Sequence, residues 1–155
     1  MSYLTQKQMN RIFENWADND PNIQQFGWGA LYNQAGIPTI EQVYPGLYVV
    51  PGQEALDSKS LTRKYQIFIY DLVWEQDGGS NIATVHSEAT EIMHRLRRWL
   101  DDDAQADYFE LADIKTITDP FRDKWLDDVA GVTATFELVV NTNSSCADPD
   151  NDFEY

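Results

Sequence analysis

This 155-residue chain has one cysteine, little positive charge and no long apolar run. The single cysteine, Cys146, excludes an intramolecular disulfide framework and fits a reducing compartment. No stretch of about 18 apolar residues occurs and the N-terminus lacks the apolar region of a secretory signal, so we expect no membrane span and no signal peptide. A composition that is 43% hydrophobic and 13% aromatic is nevertheless apolar enough for one folded domain.

Basic residues are scarce, because 11 lysines and arginines stand against 26 aspartates and glutamates, for a net charge of -15. Such a molecule repels phosphate backbones, which disfavours a module that grips DNA or RNA. The same charge is compatible with a protein past which DNA slides without binding, and with a protein that mimics DNA.

Motifs that carry chemistry are also missing. The glycine-containing stretches match neither the dinucleotide-binding fingerprint nor the P-loop. Aspartates alternate over residues 148–152 as in a calcium loop, but Phe153 stands where that loop needs glycine. Cys146 has no basic neighbour in the sequence that would activate its thiol. We therefore predict no catalytic residue, no metal site and no cofactor, and we interpret residues 146–155 as a solvated acidic tail.

Both histidines lie in the stretch HSEATEIMH, on a helix predicted over about residues 82–101. His86 and His94 are eight residues apart, which is about 12 Å along a helix axis, so they cannot bind one zinc ion together. The metalloprotease pattern H-E-x-x-H is absent. A stripe at helical spacing marks the core side of this helix: Val85, Ala89, Ile92, Leu96, Trp99 and Leu100. We interpret the histidine stretch as the solvated side.

The same helix carries the basic cluster of the chain, Arg95, Arg97 and Arg98. Arg95 has the spacing for an i,i+4 pair with Glu91. The cluster either stabilises the C-terminal half of its own helix or meets an acidic patch on a neighbouring subunit. We favour the first alternative and keep both.

Other segments predict further elements of an α+β fold. Thr5 has the position of an N-cap before an apolar helical stripe. A β-like piece with Phe26 and Trp28 follows, where adjacent glycines indicate either a close backbone approach or a bulge. Strands are predicted over residues 44–52 and 62–74, joined by an exposed hairpin connection. A strand over about residues 108–118 is closed by a turn at Asp119–Pro120, and residues 132–140 show the clearest strand alternation.

The strand over residues 62–74 is apolar on both faces, with Tyr65 on one side and Phe68 and Tyr70 on the other. Either helices cover both faces, or one face is covered and the other is left for an intersubunit contact. The element order predicts a single α+β domain over residues 1–145. Its sheet is mostly antiparallel and is packed by an N-terminal helix and one long central helix.

Several segments together resemble the tail terminator, or tail completion, proteins of tailed bacteriophages. The likeness lies in the element order, in a Tyr–Pro strand, in a Ser–Asn entry to the long helix and in an Ala–Gly start of the last strand. The segments are FGWGALY from Phe26, YPGLYVVPG from Tyr44, TRKYQIFIYDLV from Thr62, SNIATVHSEATEIMHRLRRWL from Ser80 and DDVAGVTATFELVVNTNSSCADPD from Asp127. The acidic segment after Cys146 falls outside the family pattern.

The resemblance implies a virion protein, made in the host cytoplasm, that forms a homo-oligomeric ring, commonly a hexamer, on the head-proximal end of the tail tube. Such a ring ends tube polymerisation and offers a joining surface to the head connector or neck protein, while DNA passes through its bore. It implies no enzymatic activity. The candidate subunit or partner interface is Phe26, Trp28, Tyr44, Phe68, Tyr70, Arg95, Arg97 and Arg98. Two other functions stay open: another neck or connector component, and an acidic DNA mimic that inhibits a host DNA-binding enzyme.

Overall fold

The computed structural model describes residues 4–29, 44–57, 60–74, 78–102, 108–112, 115–124 and 128–141. Within these ranges two helices lie on one face of a six-stranded sheet. The helices are α1 (Gln6–Asn19) and α2 (Ile82–Leu100); the strands are β1 (Gln25–Trp28), β2 (Gly46–Leu56), β3 (Ser60–Leu72), β4 (Phe109–Leu111), β5 (Thr118–Lys124) and β6 (Asp128–Asn141). The predicted α+β class is confirmed, with one long central helix.

The sheet has the strand order β1-β2-β3-β6-β4, and β5 pairs with β6 on the same side as β4. Its centre is the antiparallel pair of β3 and β6, in register from Ser60 opposite Asn141 to Leu72 opposite Val129. The short strand β1 pairs parallel with the beginning of β2, and the other pairs are antiparallel, so the sheet is mostly antiparallel as predicted. β1 and the far part of β2 form one edge of the sheet; β4 and β5 form the other.

The main core lies between the helices and one face of the sheet. Helix α1 begins with a capping box of Thr5 and Gln8 and buries its predicted apolar stripe. Helix α2 buries its predicted stripe and also Met93, while Trp99 stays half-buried. Alternate strand residues complete this core: Leu47, Val49, Tyr65, Ile67, Ile69, Val132, Ala134, Phe136, Leu138 and Val140. The alternation predicted for β6 is thereby confirmed.

Three predictions about strand boundaries are wrong. The strand predicted over about residues 108–118 is not continuous, because β4 ends at Leu111 and β5 begins only at Thr118. Asp119 and Pro120 lie inside β5 and not in a turn. A proline is tolerated there because β5 is an edge strand. The N–H that proline lacks would face away from β6, so no hydrogen bond of the sheet is lost. In addition, β2 continues through residues that the polar sequence assigned to a connection, and it reaches Leu56. A register shift between Pro51 and Glu54 accommodates the proline within β2.

The second face of the sheet is covered around Phe68 and Tyr70, whereas Lys64 and Gln66 further along β3 are exposed on it. The expectation that Phe68 and Tyr70 lie on an open face is wrong. Their side chains are 7% and 1% exposed within a single chain. They belong to a second apolar cluster with Tyr48 and Val129. Phe68 packs edge-on against Phe121 with 5.3 Å between ring centroids, so much of this cover comes from aromatic rings of the sheet itself.

Glycines opposite these rings make the cover possible. Gly27 is paired with Tyr48, and Tyr70 is paired with Gly46 on one side and Gly131 on the other. A Cβ atom at Gly27 would lie 2.3 Å from the Tyr48 ring, and one at Gly46 would lie 2.3 Å from the Tyr70 ring. Each ring therefore occupies the space that a side chain on the neighbouring strand would take. The close approach predicted near Gly27 is confirmed.

Candidate interaction surface

The aromatic residues predicted for an interface are largely packing residues. Phe26 and Trp28 are half-buried and pack against the main core, with the Trp28 ring centroid 5.8 Å from that of Tyr65. Tyr44 is half-buried beside Tyr70, with ring centroids 5.9 Å apart. An intersubunit role for the accessible parts of Phe26, Trp28 and Tyr44 stays a prediction.

Arg95 has its partner within the same chain. Its Nε and Nη2 atoms both donate to the Asp20 carboxylate, at 3.1 Å each. Asp20 is the C-cap of α1, and its side chain is only 4% exposed. The predicted pair of Arg95 with Glu91 is therefore wrong, because a buried carboxylate needs the guanidinium more than an exposed one does.

The other two arginines lie in the last turn of α2, where positive charge is favourable for the helix dipole. Arg97 donates from Nε to Thr116 Oγ1 at 2.7 Å. Arg98 is exposed and has no ion-pair partner among the residues that the structure describes. Of the predicted cluster, Arg98 is thus the residue whose charge is most available to another molecule.

The two histidines lie in different surroundings. His86 is half-buried on the flank of α2, with its Nε2 atom 3.3 Å from the carbonyl oxygen of Phe121. His94 is exposed. Within the described ranges no group of three or more histidine, cysteine, aspartate or glutamate side chains is arranged to bind a metal ion. Cys146 and the aspartates of residues 148–152 lie outside those ranges.

A polar network that the sequence did not predict fixes the beginning of α1 to the sheet. Arg63 is 3% exposed; it donates from Nη1 to the carbonyl of Leu4 and from Nε to Glu54 at 3.0 Å. Gln6 donates to Glu54 at 2.7 Å and accepts from the Tyr65 hydroxyl at 2.8 Å. Burial raises the pKa of the Tyr65 phenol. The side chains of this network hydrogen-bond to one another and to the Leu4 carbonyl, all within the chain, which indicates a structural role.

Large apolar side chains that are truly exposed occur elsewhere, and sequence reasoning missed them. They are Leu56 (75% exposed), Ile117 (67%), Trp74 (58%) and Leu72 (37%). Leu72 and Trp74 lie together at the end of β3, whereas Leu56 lies at the opposite end of the sheet. The available signal was that Trp74 follows Leu72 at strand spacing just before a glycine-rich turn.

The backbone that carries Leu72 and Trp74 is held in place by Asn81, the N-cap residue of α2. Asn81 is 8% exposed. Its Oδ1 atom accepts from the Trp74 backbone N–H at 2.9 Å, and its Nδ2 atom donates to the Leu72 carbonyl at 2.8 Å. The Trp74 carbonyl accepts from Gly79 N–H at 3.0 Å. Trp74 therefore projects from a fixed backbone and not from a free loop.

Acidic side chains surround the beginning of α2. Asp71 is half-buried, and this burial, with the Glu88 charge as a smaller cause, raises the pKa of its carboxyl, while a hydrogen bond from the Leu72 backbone N–H acts in the opposite direction. Glu88 and Glu91 are exposed, and neither has an ion-pair partner among the described residues. The first half of α2 thus carries two exposed carboxylates, although its first turn has no acidic residue.

A groove runs along the flank of α2. It consists of two cavities, of about 390 Å³ and about 630 Å³, which share Pro21 and Asn22 in their walls. Trp16, Arg95 and Trp99 line the smaller cavity, near the end of the helix. Glu88, Glu91 and Tyr44 line the larger one, near the beginning. The groove is thus aromatic at one end and acidic at the other.

Comparisons with protein-family models and with curated proteins found no match to this chain. Among the described residues, neither helix combines the length and apolar character that a bilayer-crossing helix needs.

Proposed function

We propose that this chain is a structural subunit of a tailed phage, which forms a ring, commonly a hexamer, on the head-proximal end of the tail tube. In this role it ends tube polymerisation and joins the tail to the head connector or neck protein. The segments that carry the resemblance supply most of the domain, since they contain most of β1, the beginning of β2, most of β3, α2 and β6. The likeness is therefore to one connected α+β unit and not to scattered loops.

The observation that carries the proposal is the exposed apolar pair of Leu72 and Trp74 at one end of β3, which are 37% and 58% exposed. Neighbouring exposed apolar side chains are typical of a surface that contacts another protein, whereas apolar residues exposed singly, such as Leu56 and Ile117, need no partner. A subunit that contacts copies of itself, a tube and a connector requires a contact surface of this kind.

The distribution of charge supports a bore that DNA passes without binding. Arg63, Arg95 and Arg122 each form an ion pair with a carboxylate of the same chain, at 2.9 to 3.1 Å. Exposed carboxylates such as Glu88 and Glu91 are left without such partners among the described residues. Since the whole chain has a net charge of -15, a ring of such subunits repels phosphate groups.

Two measurements test the proposal. Size-exclusion chromatography with light scattering gives the mass of the purified chain, alone and with tail-tube protein, and electron microscopy gives tube lengths with and without it. We expect a ring and tubes that stop growing at the capped end. A chain that stays monomeric at high concentration and binds no tube end contradicts the proposal. Tubes of normal length that are detached from heads, in particles lacking this protein, point instead to another neck component.

A further inference from the structure

The larger cavity of the groove along α2 is suited to a positively charged group. Glu88 and Glu91 lie in its wall, about one helical turn apart. Both side chains are exposed, and neither has an ion-pair partner among the described residues. Tyr44 lines the same cavity, and the face of an aromatic ring attracts a cation. This part of the groove is called the acidic cavity below.

The smaller cavity, of about 390 Å³, is suited to an apolar group and is called the aromatic cavity. Trp16 and Trp99 line it. The two charged residues described in its wall, Asp20 and Arg95, bind each other at 3.1 Å and so leave little net charge. An apolar side chain placed there is removed from water without leaving a charge unpaired.

The wall between the two cavities can bind a peptide backbone. Pro21 and Asn22 line both cavities, and Gln24 lines the acidic one. The side chains of Asn22 and Gln24 are exposed, and within the described ranges their amide groups make no hydrogen bond. Each amide offers a donor and an acceptor, which match the C=O and N–H groups of an extended chain.

The spacing of the cavities sets the spacing of the groups that fill them. Glu91 and Trp99 are eight residues apart on α2, which is about 12 Å along the helix axis. A chain in the polyproline II conformation advances about 3.1 Å per residue, so about four residues cover this distance.

We propose that the groove binds an extended segment of another protein in which a lysine or arginine lies about four residues from a large apolar side chain. The basic side chain binds at Glu88 and Glu91, and the apolar one enters the aromatic cavity. The charge of the acidic cavity selects a basic partner. This chain is a poor source of such a segment, because its acidic residues outnumber its basic ones by 26 to 11. The inference goes beyond the proposed ring and does not require it.

The probe is the capped peptide Arg-Pro-Pro-Pro-Leu, titrated into the full chain and followed by nuclear magnetic resonance. We expect the indole N–H signals of Trp16 and Trp99 to shift, whereas that of Trp74, which is described in neither wall, stays unchanged. Single Trp→Phe variants assign the signals. Replacing the leucine of the peptide by serine tests the aromatic cavity without changing the protein, and we expect it to weaken binding at least about fivefold.

The double variant Glu88→Gln/Glu91→Gln tests the acidic cavity. It removes the charges but keeps the size of the side chains, and we expect the dissociation constant of the peptide to rise at least about fivefold. The matched control is Glu14→Gln/Asp18→Asn, which removes the same charge from exposed positions of α1 that are described in neither wall. We expect that variant to bind as wild type does. Circular dichroism should show wild-type folding for both, since all four side chains are exposed.

The other results each overturn the inference. Equal affinity of Glu88→Gln/Glu91→Gln and its control shows that the peptide binds elsewhere or by net charge alone. Capped arginine that binds as tightly as the peptide shows a charge site without the aromatic contact. A peptide that shifts no indole signal at millimolar concentration shows that the groove takes no such segment.

The same titration separates this inference from the proposed function. If the peptide dissociates a ring of this chain, the groove holds a second copy, so the inference is wrong while the ring stands. A chain that stays monomeric, binds no tube end and still binds the peptide as expected contradicts the ring alone.

Discussion

The substitution Gly131→Ala tests the central packing feature of the sheet. Gly131 lies in β6 opposite Tyr70, at the place where the second face of the sheet is closed. A Cβ atom there would lie 1.8 Å from the carbonyl oxygen of Ile69 and 2.9 Å from the Tyr70 Cα atom. Both contacts are to backbone atoms of β3, so no side-chain rotation can relieve them.

The expected loss of stability follows from the distance by which β3 and β6 must separate. The two central strands have to separate by well over an ångström, which combines an overpacking cost of about 1–3 kcal/mol with the weakening of adjacent ladder hydrogen bonds at about 0.5–1.5 kcal/mol each. We expect a loss of at least about 4 kcal/mol in the free energy of unfolding, a value reached only by severe core substitutions. For a chain of this size the midpoint of thermal unfolding should fall by roughly 8–16 °C.

Urea denaturation followed by tryptophan fluorescence and circular dichroism measures the loss. Gly52→Ala is the control, because the same substitution in β2 places a Cβ atom 3.2 Å from the Lys64 carbonyl oxygen at an exposed position. We expect that variant to change stability by less than about 1 kcal/mol, since the reduced freedom of its unfolded chain offsets the tight contact. If Gly131→Ala were as stable as the control, the close approach of the β3 backbone to Gly131 would be refuted.

Three further predictions concern local interactions. Arg95→Ala leaves the buried Asp20 carboxylate unpaired and should cost about 2–4 kcal/mol, less than for a fully buried pair because Arg95 is 29% exposed; chemical denaturation checks this. Since the pKa of Asp71 is raised in the folded chain, its ionisation lowers stability as pH rises through that pKa. Asp71→Asn should therefore be more stable than wild type at pH 7, and the advantage should vanish in thermal unfolding below pH 3.8, the ordinary pKa of an aspartate. Thr5→Ala removes the cap of α1 and should cost about 1 kcal/mol in the same assay.

The helices and β6 were predictable because their signals are local. The helical stripe behind Thr5 and the stripe of α2 depend only on residues three and four positions apart, and the alternation of β6 only on residues two apart. Competing structures for such segments are few, so the element type follows from periodicity alone.

The burial of Phe68 and Tyr70 on the second face of the sheet was not predictable in the same way. It depends on glycines that lie opposite aromatic rings on other strands, such as Gly46 opposite Tyr70, which are 24 residues apart in the sequence. That relation exists only once the register is fixed. The pairing of Arg95 with Asp20, which spans 75 residues, escaped prediction for the same reason. The spacing of Arg95 to Glu91 allows an i,i+4 pair, but the guanidinium binds the buried Asp20 carboxylate instead.

The strand assignment of Pro120 shows a third kind of limit. A proline after an aspartate is a turn signal in most contexts, and the sequence around residues 119–120 gave no competing pattern. The residue is compatible with a strand only at an edge of the sheet, and edge position is a property of the whole topology. The edge position of β5 therefore cannot be predicted from the residues around Pro120.

The burial of Phe68 and Tyr70 changes what the proposed ring requires. With these two side chains buried, the proposed self-association has to use other exposed surfaces, and a small contact between two copies is weak. In a closed ring, however, each copy makes the contact twice, and the last contact forms within an already assembled chain of subunits. Formation of the proposed ring should therefore depend steeply on protein concentration. A scaffold that gathers the copies, such as the end of a tube, would favour the ring where it is needed and leave the free protein largely unassembled.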